Sequence, residues 1–202
     1  MTSKQRRATA YHEAGHAVAA HDLGIRFRYV TIEPDEQTGS LGHCASTLPR
    51  WFQPDVSDDR QQGWAERDIV MTFAGEEAER LVTGRGNNVG TENDRRSVWT
   101  VAQFVTNSDE ETTAFIKWLR IRARQHVNTP RFRVAVAAVA DALLEHTRLT
   151  KDEVARTVVD ALQSHIAERE KQRKTTHEHP AARVQTEVYG PTDLRQGGPG
   201  EP

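Results

Sequence analysis

His12-Glu13-Ala14-Gly15-His16 places two imidazoles and a carboxylate within five residues. On an α-helix, positions four apart lie one turn above each other on the same face, so His12 and His16 can share a metal ion. Glu13 stands next to the first ligand, near enough to hold a metal-bound water and take its proton. Two imidazole ligands and a general base at this spacing suit zinc-dependent hydrolysis. The expected cofactor is therefore Zn²⁺, with His12 and His16 as ligands and Glu13 as the catalytic base.

A catalytic zinc ion takes three protein ligands and keeps one position open. Asp94 is the first candidate for the third. It lies four residues before Val98, at the head of the Val98, Val101, Ala102 and Val105 stripe, so its carboxylate starts on the buried side of that helix. Thr91 and Asp94 also have capping-box spacing, and spacing alone leaves ligand and cap open. Glu76, Glu77 and Glu79 are rivals, but such an acidic cluster is expected to be mostly a solvated face, with room for one member to hydrogen-bond an imidazole. His21 and His43 are isolated histidines, and His177 and His179 fall in the C-terminal tail.

The elements that must carry these residues are mainly helical. A first helix spans Ser3 to Leu23 and stops at Gly24. Phe27 to Glu33 is β-branched and aromatic, and Ser40 to Leu48 can return as its partner strand, with Pro34 and Gly39 bracketing the turn. A long helix runs from Ser57 or Asp58 to Thr83 and ends at Gly84, and Gly84 to Gly90 is expected to be a loop before the helix of the 98/101/102/105 stripe. Ser108 with Glu111, Thr129 before Pro130, and Thr150 with Glu153 mark three further helix starts. The expected fold class is α+β, mainly helical with one small sheet near the N-terminus. One domain is expected over residues 1–170, followed by a polar, Pro- and Gly-rich tail over 171–202 that is expected to be disordered.

Composition narrows the setting. In 202 residues the net charge is −2, the pI is near 6.5 and the mean hydropathy is −0.72, so no membrane span is expected and nothing drives the whole chain to nucleic acid. Arg120, Arg122, Arg124, Arg131 and Arg133, with Trp118 and Phe132 among them, form a basic region, but nucleic-acid binding is the weakest of the readings. Cys44 is the only cysteine, which excludes an internal disulfide and a thiolate-rich zinc site. The first seven residues are basic without a following apolar segment, so no signal peptide is expected and a cytoplasmic location is the simplest.

Motif order adds a family resemblance. Tyr11-His12-Glu13-Ala14-Gly15-His16-Ala17 is similar to the YHEAGHA of the peptidase domain of FtsH-type ATP-dependent zinc metalloproteases. Val30-Thr31-Ile32 and Leu41-Gly42 resemble that domain's strands, Ala74 to Leu81 resembles GGRAAEEL, and Gly90-Thr91-Glu92-Asn93-Asp94 resembles GAxND. The order holds over residues 8–165. The resemblance implies a zincin-like fold, peptide-bond hydrolysis, Asp94 as third zinc ligand and Glu79 as an acidic residue supporting the site. It departs where Glu76 replaces an arginine, Arg80 a glutamate and Arg95 a leucine.

No GxxxxGK[ST] phosphate loop occurs in the chain, so the expected protein is a stand-alone, ATP-independent peptidase. Its expected substrates are peptides or unfolded proteins, with a separate ATPase or unfoldase, or a homo-oligomer, as possible partners. Gly39, Leu41 and Gly42 are candidates for aligning an extended substrate along a strand edge, and His43 for the oxyanion. A catalytically weak adaptor domain and a regulatory peptidase with one protein target are the alternatives.

Overall fold

The computed structural model describes residues 2–34, 41–47, 49, 51–52, 58–84 and 88–178, with the backbone alone at 88–91 and 176–178. Among these residues, six helices and three strands follow in the order α1 (Ser3–Leu23), β1 (Phe27–Thr31), β2 (His43–Ser46), α2 (Asp59–Thr83), α3 (Asn88–Gln103), α4 (Asp109–Val127), α5 (Pro130–His146), β3 (Arg148–Thr150) and α6 (Lys151–Glu178). The architecture is mainly helical, with one small antiparallel sheet. The chain divides into two compact units, Met1–Ala167 and Glu168–Pro202. In the second, α6 continues to Glu178 through residues that are exposed as far as Thr175, so helix extends past Lys171, where a disordered tail was expected. Lys171 to Glu178 contains no glycine or proline, and nothing in it stops a helix.

Local signals start and stop the helices. The Thr2 hydroxyl accepts from Gln5 N while the Gln5 side chain accepts from Thr2 N, closing a capping box at α1. Asp58, Ser108 and Thr129 cap α2, α4 and α5 through their side chains. Gly24 and Gly84 end α1 and α2 in the left-handed region, where a β-carbon is penalised. One boundary differs from expectation: α3 begins at Asn88, inside the glycine-rich stretch expected to be loop. A single glycine costs a helix only about 1 kcal/mol, which tertiary packing readily overrides.

β1 is the central strand, antiparallel to β2 on one side and β3 on the other. Val30 is opposite Cys44 and Leu149, so one buried position registers all three strands. β2 is shorter than Ser40 to Leu48, and both of those end residues lie outside the described set. β3 was not expected: at three residues it is too short to show strand periodicity.

Two cores share α2. Met71, Ala74 and Ala78 pack with α1, the sheet, α5 and α6, while Trp64, Ile69, Val70 and Phe73 pack with Val98, Val101 and Ala102 of α3 and Leu119 and Ala123 of α4. Val105, expected on the α3 stripe, lies beyond the helix end but still packs against the second core. The α1–α2 crossing is close because its contact residues are small. A β-carbon on Gly15 would lie 2.5 Å from the Ala74 carbonyl oxygen and 2.7 Å from Ala78 Cβ. The obstacle is backbone, so it cannot rotate away. Gly15→Ala is expected to cost about 1–3 kcal/mol through forced separation of the helices; a thermal melt that is unchanged would refute the contact.

Candidate metal centre

α1 is buried from Ala8 to Ala20 apart from one partly exposed position, so its motif faces protein rather than solvent. His12, Glu13 and His16 are all buried. His16 reaches α2, where Gly75 leaves the room: an added β-carbon there would overlap the imidazole ring. The His16 Nδ1–H donates to the Met71 carbonyl at 3.1 Å, and the His12 Nδ1–H donates to Glu79 Oε2 at 3.3 Å. A carbonyl oxygen can only accept, which places the His16 proton on Nδ1. In their neutral forms both imidazoles then turn an Nε2 lone pair inward.

Asp94 completes the group from α3. Its Oδ2 lies 3.1 Å from His12 Nε2 and 3.5 Å from His16 Nε2, and the two Nε2 atoms are 3.0 Å apart. A tetrahedral zinc ion with ligands at about 2.0–2.1 Å needs those atoms about 3.3–3.4 Å from one another. Three lone pairs at this spacing repel unless a cation lies between them, and the three residues could hold a metal ion. Thr91 lies within α3 and not at its start, so Asp94 does not form the cap considered from spacing.

The charges respond to one another. Burial opposes protonation of His12, but Asp94 and Glu79 outweigh it and raise the imidazole to about 10. His16 is likewise raised against its burial, chiefly by Asp94. Burial disfavours the Asp94 carboxylate, yet the two imidazoles hold its titration well below the usual range. A proton and a metal ion thus compete for the same place. Glu13 is raised by its burial, with His12 and His16 pulling the other way. Its carboxylate packs on Gly42, where an added β-carbon would come within 2.7–2.9 Å of the side chain. Gly42 therefore makes space for the Glu13 carboxylate.

Other expected positions fall in different places. Leu41 is half-buried beside Gly42, and Gly39 lies outside the described residues. His43 is exposed on β2, and His21 is half-buried at the end of α1; neither joins the metal-binding group. The His177 side chain and His179 lie outside the described residues.

The acidic cluster differs most from expectation: Glu76, Glu77 and Glu79 are buried, not solvated. Glu79 is held by His12. Glu76 Oε1 pairs with Arg80, with Arg120 at 2.6 Å and with Arg95 at 3.7 Å, while Glu77 pairs with Arg124 at 3.4 Å. Cations from α3 and α4 compensate carboxylates that α2 alone could not bury. Arg80, Glu76 and Arg95, the three positions at which the sequence departs from the resemblance, are thus one ion-pair network. They also remove Arg120 and Arg124 from the basic region, and Arg131 pairs with Asp22 at 3.5 Å.

One buried acid was missed in the sequence. Asp68 is 8% exposed on α2, and burial raises its carboxyl to about 6, against a lowering pull from His16. A raised carboxyl contributes stability below its unfolded pKa and loses it as pH rises through the folded one. The rise from near 4 to about 6 corresponds to about 3 kcal/mol. Asp68→Asn is therefore expected to raise the melting temperature at pH 7.5 and not at pH 4; equal shifts at both would refute this.

Among comparisons with known proteins, no family model matches the chain and no curated protein matches it.

Proposed function

We propose that the protein is a zinc-dependent metallopeptidase, similar in plan to FtsH-type peptidase domains and zincin-like in its use of the helix-borne motif. The observation that carries this reading is the convergence of His12 Nε2, His16 Nε2 and Asp94 Oδ2 at near-tetrahedral spacing, with the buried Glu13 carboxylate beside them. No helix among the described residues is long and apolar enough to cross a membrane, which agrees with a peptidase that meets its substrate away from the bilayer.

His12, His16 and Asp94 would hold the zinc ion, which when bound supplies Lewis acidity that activates water and polarises the scissile carbonyl. Glu79 and the Met71 carbonyl fix the imidazoles in the tautomer that presents Nε2. Glu13 takes a proton from the attacking water and delivers it to the departing amine. β2 is an edge strand of the sheet and follows directly on Gly42, which packs on Glu13. An extended peptide paired to that edge would pass the base, giving peptides or unfolded segments as the substrate class.

Metal analysis and a casein or unfolded-peptide assay test the reading. Wild type is expected to bind one zinc per chain, Asp94→Ala to lose it, and Glu13→Gln to keep it while cleavage falls about 10²–10⁴-fold. Full-affinity zinc in Asp94→Ala would refute the third ligand. Bound zinc with no cleavage in wild type would favour an adaptor domain. Gly42→Ala is expected to displace Glu13 and lower cleavage by up to about 100-fold at unchanged zinc content; zinc loss instead would place Gly42's role in the fold.

A further inference from the structure

Asp68 is buried on α2 and the proposed chemistry does not use it. No hydrogen bond or ion pair reaches its carboxylate among the described residues; only its backbone carbonyl is engaged, by Thr72 Oγ1 at 2.9 Å. Cations on the same helix are committed elsewhere. Arg67 turns to the Gly63 carbonyl at 2.9 Å, and Arg60 lies over the Trp51 ring at 3.9 Å. A carboxylate that is 8% exposed and has no partner loses most of its hydration, and residues of that kind concentrate at binding sites.

Its position says which site. Asp68, Thr72, Gly75 and Glu79 are spaced i, i+4, i+7 and i+11 on α2, one helical stripe. Two members are already fixed by contact: Gly75 admits the His16 ring and Glu79 holds His12. Asp68 lies on the same stripe about 10 Å further along, at 1.5 Å per residue from Gly75. That distance corresponds to about three residues of extended peptide.

We propose that Asp68 is a specificity-determining residue that receives a lysine or arginine side chain of the bound peptide, close to the metal centre. The inference rests on the metallopeptidase reading and adds to it the chemical class of substrate. A cation fits better than a neutral donor because hydrogen bonds between ionised partners are stronger, and most strongly so away from water. The carboxyl titrates at about 6, so it is ionised at pH 7.5 despite its burial.

The test separates binding from hydrolysis. Zinc-loaded Glu13→Gln protein is titrated at pH 7.5 with a fluorescein-labelled unstructured peptide containing lysines, and with the same peptide carrying norleucine in their place. The lysine peptide is expected to bind about tenfold more tightly. Adding Asp68→Asn should abolish that preference, whereas Glu92→Gln, which removes an equal charge from an exposed position of α3, should leave it. Asp68→Ser is carried in parallel, so that a folding failure of one variant leaves the comparison intact. Absence of preference, its survival in the folded Asp68 variant, or its equal loss in Glu92→Gln overturns the proposal. If wild type cleaves neither peptide but the Asp68-dependent preference is present, the hydrolytic reading fails and the cation site stands.

Discussion

The contact of Gly15 with the Ala74 carbonyl and Ala78 is the constraint on which the site depends. It lets two helices approach at backbone distance, and only then does the Met71 carbonyl lie within reach of His16 and Glu79 within reach of His12. A wider crossing would leave both imidazoles buried without acceptors for their Nδ1 protons. The glycine inside the motif is therefore as much part of the centre as His12, His16 and Asp94, although it supplies no atom to it. Gly75 and Gly42 repeat the device, clearing space for one imidazole and for the Glu13 carboxylate.

A second layer of charge ties the helix of Asp94 in place. Asp94 and Arg95 are neighbours on α3, and Arg95 reaches Glu76 on α2, three residues before the Glu79 that holds His12. The network is asymmetric. Its carboxylates are buried, while the arginines remain about a third to a half exposed. Losing an arginine strands a buried anion, whereas losing a glutamate leaves cations that can turn to water. The carboxylates are thus held by partners on three helices rather than by a single bond.

Much of this was legible in the sequence because it is written in short-range patterns. Helix α1, the caps at Ser108, Thr129 and Thr150, and the His12–His16 pair follow from spacings of three and four residues. The convergence of Asp94 on that pair depended on motif order over a longer stretch, since 82 residues separate it from His12. What could not be read shares one cause. The burial of Glu76 and Glu77 depends on arginines 44 and 47 residues away, and the isolation of Asp68 depends on what nearby arginines do instead. The role of Gly42 depends on a side chain from another element, which no local pattern encodes.

The division of the ligands between the two cores has a mechanical consequence. His12 and His16 belong to the helix packed into the first core, Asp94 to the helix packed into the second, and α2 is the wall between them. An ion held by all three would act as a rivet through that wall. In the unfolded chain its ligands are far apart, so ion binding and docking of the two cores are one equilibrium seen from two sides. Looseness in either core would then be felt first as slack in the rivet, before either core comes apart.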